Sequence, residues 1–309
     1  MGLKPGILRD LRPLGTSGSR LSDVKGVVTR TICVVIPTRN RTELLARCLD
    51  RLVPGAQSIT PDRYEVIVSD DGDGDGTRDL IAARYAWARW VIGPRRGPAA
   101  NRNAGARLSQ APYLVFADDD CIPDRDWLAG FLPAIERGCD LSSGRIVCRE
   151  TWHSPLEHAP LNESGDAIWS CNMLVRREFF VRLGGFDERF PHAHMEDLDF
   201  QIRARALAPI EIFSAHAVVD HPPRRLAWGG SLAATHYSEV LFASLHRTSI
   251  SLPGMLRRIA GTRWRAIARY PMSRDTLLAC GSLAAELTHV VRHWREWRMR
   301  AAKTSEHGR

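Results

Sequence analysis

The sequence predicts an α/β fold with a mostly parallel central sheet flanked by helices and followed by a helical C-terminal extension. Strand-like apolar runs alternate with helix-like segments through the first 120 residues, as in parallel strands joined by right-handed crossovers. After residue 121 this alternation ends, and from about residue 225 the apolar spacing becomes helical. We therefore expect three regions. A flexible basic arm covers residues 1–30, a two-part α/β region covers 31–121 and 122–224, and a basic helical extension covers 225–309.

Four apolar runs predict the strands of the first half: "TICVVIP" (31–37), "YEVIVSDD" (64–71), "ARWVIG" (88–93) and "PYLVFADDD" (112–120). Such runs do not alternate with polar residues because both faces of a parallel sheet are buried. Between them, helices are predicted in "RTELLARCLDRLV" (41–53), "TRDLIAARYA" (77–86) and "GPAANRNAGARLSQ" (97–110). This order predicts a parallel sheet whose strands are joined by helical crossovers.

The second half predicts a less regular series of elements. They are a helix at 126–136, a strand at 140–148, a strand and a helix stopped by Gly-Gly within 167–190, a helix at 196–208 and two short strands within 210–221. Helices separated by basic interruptions fill the remainder of the chain.

Positive charge is concentrated at the two ends of the chain. Residues 253–309 hold 12 Lys and Arg against 4 Asp and Glu, whereas residues 31–252 hold 25 against 29. An enzyme acting on nucleic acid would carry its basic patch on the core, so nucleic acid is not an expected partner. Basic ends indicate contact with an anionic surface or a solubilising role.

The cysteines and the hydropathy indicate the compartment. Seven Cys without a C-x-x-C pair favour a reducing cytosol over a disulfide framework. The first 20 residues lack the apolar core of a signal peptide, and no run of 18 apolar residues occurs. We expect a cytoplasmic protein that could lie peripherally on the inner face of the cell membrane.

An acidic turn, "SDDGDGDGT" at 69–77, follows the second strand. From Asp71 it matches the first half of an EF-hand loop, but position 12 is Ala82 rather than Glu, and a strand rather than a helix precedes it. Two interpretations remain: a Gly/Asp turn that tolerates positive φ, or a ligand-binding loop at the carboxyl end of a parallel strand.

Two further acidic groups point to chemistry. Asp118, Asp119 and Asp120 end an apolar strand, and three adjacent carboxylates repel one another unless a cation joins them. Their hard oxygens suit Mg²⁺ or Mn²⁺, although such residues also begin turns. Glu196 and Asp197 open a predicted helix, where they could cap it or provide a general base.

Five segments in order resemble the motifs of the family 2 glycosyltransferases, which have the GT-A fold. They are "CVVIPTRNR", "VIVSDDGDGDGT", "GPAANRNAGARLSQAPYLVFADDDCIPDRDWL", "NMLVRREFFVRLGGFDERF" and "MEDLDFQIRARALA". The resemblance covers roughly residues 31–221. It implies a catalytic domain at 31–224, with a Rossmann-like nucleotide-binding half at 31–121 and an acceptor half at 122–224.

The resemblance also implies the site residues. The nucleotide sugar, with a UDP-sugar as the first expectation, would be bound by Pro37, Thr38, Arg39, Asp70 or Asp71, Arg102, Asn103, Asp118 and Asp119. The metal ligands would be Asp120 with Asp118, in either an Asp118-x-Asp120 or an Asp119-Asp120 register, and His221, which could equally be structural. Asp197, beside Glu196, would be the catalytic base.

The implied reaction is a metal-assisted inverting displacement onto a hydroxyl of a carbohydrate or lipid-linked acceptor, in cell-envelope polysaccharide or glycoconjugate synthesis. The alternatives are a metal-dependent nucleotidyltransferase, whose usual Gly-rich loop is not present in "PTRNRTELL", and a non-catalytic nucleotide-sugar-binding module. His192 and His194 form an H-x-H that we interpret as loop residues.

The extension interleaves Arg with apolar residues. Met255, Ile259 and Ile267 share one helical side, and Trp264, Trp294 and Trp297 add aromatic bulk. Such helices either lie on an anionic membrane or pack on the catalytic domain with Arg facing water.

Overall fold

A computed structural model of the chain describes residues 30–306; the predicted arm lies, except for its last residue, outside them. The elements of the α/β region are β1 (Ile32–Thr38), α1 (Thr42–Asp50), β2 (Tyr64–Asp70), α2 (Gly76–Arg84), β3 (Arg89–Ile92), α3 (Pro98–Ala106), β4 (Tyr113–Ala117), β5 (Ile122–Pro123), α4 (Leu132–Glu136), β6 (Leu141–Val147), β7 (Glu157–His158), β8 (Asn172–Arg176), α5 (Arg177–Leu183), α6 (Glu196–Ala206), β9 (Glu211–Asp220) and β10 (Arg224–Arg225).

One sheet of eight strands, in the order β3-β2-β1-β4-β8-β6-β9-β5, organises this region. The first four strands pair in parallel, as predicted. Every residue of β1 is buried, because alternate side chains enter two hydrophobic layers. Val34 and Ile36 pack with the α1 side, and Cys33 and Val35 pack with the α3 side. Two covered faces therefore explain the continuous apolar runs.

The second half is mixed in direction. β8 pairs antiparallel with both β4 and β6, whereas β6 and β9 are parallel. The prediction of two short strands within 210–221 was wrong, because β9 is one strand. The pairing of β9 with β6 shifts register between Gly144 and Arg145, but β9 continues as a single strand across this shift.

The helix predicted at 126–136 forms only in part. Ala129–Phe131 is a 3-10 turn, and α4 covers just the last five residues. Pro133 has no N–H to continue a helical ladder. Gly130 lies so close to β9 that a Cβ atom there would be 2.3 Å from the Ala217 nitrogen. Close packing on the sheet thus takes precedence over helical spacing.

The extension contains four helices: α7 (Gly229–Ala234), α8 (Tyr237–Leu245), α9 (Leu252–Arg269) and α10 (Thr276–Glu306). Met255 and Ile259 pack with Trp294 and Trp297 in a separate hydrophobic cluster that also includes Phe190 of the catalytic region. Trp264 alone of the three tryptophans noted above is exposed. The apolar side of the tail therefore packs largely within the chain. Among residues 30–306, no helix combines the length and hydropathy needed to cross a membrane.

Candidate functional site

A cleft of about 270 Å³ opens at the carboxyl ends of β1, β2 and β4, where open α/β sheets place their ligands. Its walls are formed by the turn after β1, the start of α3, the loop before α6 and the β10 strand. The residues lining it are Pro37, Thr38, Arg39, Arg41, Asp71, Gly97, Pro98, Asn101, Arg102, Asp118, Pro191, His192, Ala193 and Arg224. The structure thus brings together six of the residues predicted from sequence.

The acidic turn contributes Asp71 to this cleft. Asp71 Oδ1 accepts a hydrogen bond of 2.8 Å from the Arg95 N–H. Asp70 lies behind it, where its carboxylate accepts from the Gly72 N–H and the Trp90 indole at 2.8 and 3.2 Å. The geometry therefore favours Asp71 over Asp70 as the cleft residue, and a β-strand precedes the turn as predicted.

Small residues allow α3 to approach the sheet closely. A Cβ atom at Gly105 would lie 2.7 Å from Val35 Cγ1. Arg102 and Asn101 then face the cleft. Asn103 instead binds the turn after α5, accepting from the Phe186 N–H at 2.9 Å and donating to its carbonyl at 2.8 Å. This corrects the expectation that Asn103 faces the nucleotide, and Asn101 occupies the place expected for it.

Arg102 joins the two acidic motifs. Its guanidinium, 4 % exposed, contacts Asp118 Oδ1 at 2.8 Å and Glu196 Oε1 at 3.1 Å. Burial acts against the charge of Arg102, but Asp118, Asp197 and Glu196 keep its pKa raised. A charged arginine thus fixes the end of β4 against the start of α6.

Asp119 faces the interior rather than the cleft. It is fully buried, accepts from Thr38 Oγ1 at 2.7 Å and contacts Arg41 at 3.1 Å. Burial raises the pKa of Asp119 to about 7, against the opposing effect of Arg41. Its side chain supports the turn after β1, so direct donor contact through Asp119 does not fit this position.

Asp120 and His221 offer a pair of metal-ligating atoms. Asp120 Oδ1 and His221 Nε2 lie 3.3 Å apart, and both are buried without a hydrogen bond of good geometry to any residue of 30–306. Ligands about 2.1 Å from an octahedral Mg²⁺ and at right angles are about 3 Å apart. The two residues therefore fit a divalent cation. Asp118 lies on the cleft wall, where its Oδ1 contacts Arg102.

Charge around Asp120 is strongly positive. Burial acts to raise its pKa, but His221, Arg224 and Arg41 together hold the pKa of Asp120 well below its ordinary value. Cys121 Sγ lies in the same group and donates to the Cys171 carbonyl at 3.5 Å. The neighbouring Cys171 thiol and burial raise the pKa of the Cys121 thiol. A protonated thiol is a poor ligand for a hard cation.

Asp197 stands at the first turn of α6 beside Glu196. One carboxylate oxygen accepts from the Ser170 N–H at 3.1 Å, and the other is buried with no hydrogen-bond partner in the described part of the chain. Burial raises the pKa of Asp197, although Arg102 opposes the shift. Burial and the neighbouring Asp197 also raise the pKa of Glu196. A free oxygen on a partly desolvated carboxylate suits proton abstraction.

The extension contacts residues on either side of Asp197 in the sequence, one in the loop before α6 and one within α6. His194, in the loop before α6, contacts Glu239 of α8 at 2.9 Å. His246, which follows α8, contacts Asp199 of α6 at 2.9 Å, and that carboxylate is 2 % exposed. The two histidines therefore connect the start of α6 to the extension. The H-x-H segment is a loop, as predicted.

Glu239 belongs to a larger buried network that we call the His236 network, composed of His194, His236, Glu239, Arg258, Arg263 and Glu286. The two ring nitrogens of His236 face Glu239 and Glu286, each at 2.8 Å. Burial acts to lower the pKa of His236, but the two carboxylates raise it overall. This network connects α8, α9 and α10 with one another and with the loop before α6.

Among the polar side chains of the cleft, sequence reasoning did not identify Arg41, Asn101 and Arg224, and it interpreted His192 only as a loop residue. Arg41 follows the "PTRN" motif directly and Asn101 precedes Arg102, so adjacency was the available signal. Arg224 contacts Asp120 at 3.3 Å from the short ribbon formed by β7 and β10. Two-residue strands leave no periodicity in the sequence from which that contact could be predicted.

The family model described as glycosyl transferase family 2 matches residues 33–186. The chain belongs to this family. It is 31 % identical over 218 residues to a validoxylamine A glucosyltransferase of Streptomyces hygroscopicus subsp. limoneus, covering 57 % of this chain and 48 % of that one. It is 32 % identical over 121 residues to glycosyltransferase AglE of Haloferax volcanii, covering 37 % and 39 %. The chain spans about half the length, or less, of these curated relatives.

Solved structures support the fold. A mannosyltransferase from Pyrobaculum calidifontis, solved in complex with GDP-Man and Mn²⁺, aligns with a TM-score of 0.50 at 20 % identity, covering 89 % of this chain and 86 % of that one. The curled, mostly parallel sheet with flanking helices is thus a GT-A fold, as the motifs predicted.

Proposed function

We propose that the chain transfers a sugar from a nucleoside-diphosphate sugar to an acceptor hydroxyl with inversion at the anomeric carbon, in glycoconjugate or polysaccharide synthesis. The observation that carries this proposal is the Arg102 bridge. It joins Asp118, on the wall of a strand-end cleft, to Glu196, the neighbour of Asp197. The guanidinium thereby connects a candidate donor-binding acid to the first turn of the helix that carries the candidate base.

The donor cleft suits an anionic ligand with hydroxyls. Arg39, Arg41, Arg102 and Arg224 line it together with the carboxylates of Asp71 and Asp118. Arginines are matched to phosphate oxygens, and carboxylates accept from ribose or sugar hydroxyls. A UDP-sugar is our first expectation for the donor, and the relative solved with GDP-Man makes a GDP-sugar the second.

In the proposed reaction, the free oxygen of Asp197 takes the proton of the acceptor hydroxyl as the hydroxyl oxygen attacks the anomeric carbon. The bond from that carbon to the diphosphate breaks, and nucleoside diphosphate leaves. Asp120 and His221, with Asp118, would hold Mg²⁺ or Mn²⁺, which neutralises charge on the diphosphate. Arg41 and Arg224 add positive charge at the same place.

A donor screen tests the proposal. The full chain is incubated with UDP-, GDP- and dTDP-sugars and Mn²⁺, and the released product is identified. We expect nucleoside diphosphate from at least one donor. Pyrophosphate release would instead establish the nucleotidyltransferase alternative. Binding of a nucleotide sugar without turnover, across a panel of glycoside acceptors, would indicate a non-catalytic binding module.

The metal is tested by Asp120→Asn. Losing one ligand and its negative charge should reduce turnover by about a hundredfold or more, while the fold persists because the residue follows a strand end. Mn²⁺-dependent quenching of tryptophan emission should weaken in parallel. Asp79→Asn, at an exposed helix position, is the matched control. Full activity in excess chelator would contradict the metal assignment.

We also propose peripheral contact of the extension with an anionic membrane at the inner face of the cell membrane. Leu256, Leu287 and Val291 line a groove of about 610 Å³ between α9 and α10, with Arg257 and Arg292 beside them. An apolar groove flanked by arginines is complementary to acidic headgroups above acyl chains.

Helices α9 and α10 contribute Met255, Ile259, Trp294 and Trp297 to a buried hydrophobic cluster, so truncating them would disturb folding. Surface variants therefore test the membrane contact. The double variant Arg257→Glu and Arg292→Glu should lose low-salt cosedimentation with phosphatidylglycerol vesicles. Arg47→Glu with Arg63→Glu, exposed positions of the α/β region, should retain it. Equal sedimentation of both variants would contradict the contact.

A further inference from the structure

A second cleft, of about 340 Å³, lies on the connection between β6 and β8. We call it the Trp152 cleft; the side chains that define it are Glu150, Trp152, Leu161, Glu163, Arg269 and Tyr270. The first four belong to the connection, and the last two come from the end of α9 and the residue after it. Its volume is at the lower end of the range for small-molecule sites, enough for one or two sugar rings.

One end of this connection adjoins the candidate metal ligands. The Val147 carbonyl, the last of β6, accepts from the His221 N–H at 2.8 Å. The ring of Trp152 packs edge-on against His158, with centroids 6.1 Å apart. His158 pairs with Arg224 in the β7–β10 ribbon, and Arg224 contacts Asp120. The aromatic wall of the Trp152 cleft is therefore linked to the donor cleft through one ribbon.

The other end of the connection reaches the candidate base. Asn162, between the two cleft residues Leu161 and Glu163, forms a bridge with Ile146 of β6. Eight residues later, the Ser170 N–H binds Asp197. The chain that forms the Trp152 cleft thus runs from the metal side of the reaction centre to the base side, the side from which an acceptor hydroxyl must approach.

The two clefts differ in chemistry. Four arginines line the donor cleft, whereas the Trp152 cleft has Glu150 and Glu163 against Arg269. A net negative lining disfavours phosphate. Carboxylates accept from vicinal hydroxyls, and the flat faces of Trp152 and Tyr270 can cover the C–H face of a sugar ring. The indole of Trp152 is fixed by its hydrogen bond to Cys148 Sγ, 3.2 Å long.

We propose that the Trp152 cleft binds the acceptor of the transfer, and that the acceptor portion bound there is an uncharged or cationic sugar rather than a phosphate-bearing group. The identification of this sugar as the acceptor rests on the proposed function, but the binding of a sugar at this cleft can be measured without any turnover.

Saturation-transfer NMR on the full chain provides that measurement. The probes are the methyl glycosides of glucose, galactose, mannose and N-acetylglucosamine at millimolar concentration, with UDP or GDP and Mn²⁺ present to occupy the donor cleft. We expect transfer to at least one glycoside, a loss of about tenfold in affinity in Trp152→Ala, and unchanged binding in Trp228→Ala, an exposed tryptophan outside both clefts.

Three results would overturn the proposal: no transfer to any of the four probes, transfer that persists in Trp152→Ala, or transfer abolished by the nucleotide. Once the donor screen has supplied a donor, Trp152→Ala should raise the acceptor KM about tenfold and leave the donor KM unchanged. An absence of turnover with every donor would count against the proposed function, whereas the NMR result would still decide whether this cleft binds sugars.

Discussion

The donor side of the cleft and the helical extension hold the same helix, α6, by different means. On the donor side, Arg102 contacts Glu196 from α3, a helix that lies within one of the family-like motifs. On the extension side, His246, which directly follows α8 and lies 47 residues further along the chain, contacts Asp199. The helix that carries the candidate base, Asp197, is therefore held both by a residue within the family match and by a residue beyond it.

The largest expected effect concerns the stability of the extension. Glu286→Ala would leave Arg263 without its buried carboxylate and His236 with Glu239 alone, and removing one partner of a buried ion pair costs about 3–5 kcal/mol. Urea unfolding should show this loss. Glu296→Ala on the same helix removes an exposed partner of His293 and should cost less than about 1 kcal/mol. Equal losses would mean that the His236 network does not stabilise the extension.

A smaller effect should separate positioning from binding. His246→Ala leaves the buried Asp199 carboxylate with one partner fewer, at a cost of about 1–3 kcal/mol. Because Asp199 and Asp197 share the first turn of α6, losing the His246 contact should displace Asp197. We expect kcat to fall about tenfold while the Kd for nucleoside diphosphate stays constant. His246→Gln, which retains a donor, should recover part of the rate. His293→Ala, a half-buried histidine of α10 whose ring contacts Glu296 rather than α6, serves as the control.

The smallest effect is a pH dependence of stability. The pKa of His236 is raised in the folded protein, so its contribution is fully present below its unfolded pKa of about 6.5 and is lost as pH rises through the folded value. The difference in unfolding free energy between wild type and His236→Gln should therefore shrink from pH 6 towards pH 9. If this difference in unfolding free energy grew with pH, it would contradict the assignment of His236 as a protonated imidazolium between Glu239 and Glu286.

Most of the donor side could be predicted because its residues directly follow buried strands. Thr38, Asp71 and Asp118 each occupy a strand end or the position after one, so a linear motif places them at one edge of the sheet. The sequence does not predict which of several adjacent polar side chains faces the cleft. Asp70, Asn103 and Asp119 turn away because a tryptophan, a turn and a threonine satisfy them.

The extension was predictable as helices but not as contacts. The spacing of Met255 and Ile259 indicated an apolar side without saying what covers it, and Trp294 and Trp297 supply that cover. His194 and His246 find carboxylates through packing between distant helices, for which sequence offers no period or motif. Pairings of this kind depend on the tertiary arrangement of α6 and α8.

The most direct test of the account is Asp197→Asn, measured for both nucleotide affinity and turnover. The donor side should be undisturbed, so the Kd for the nucleoside diphosphate with Mn²⁺ should match that of the wild type. The loss of a general base should lower kcat by about 10²–10⁴-fold. A collapse in nucleotide affinity with normal turnover at saturation would place Asp197 in the donor site and contradict its assignment as the base.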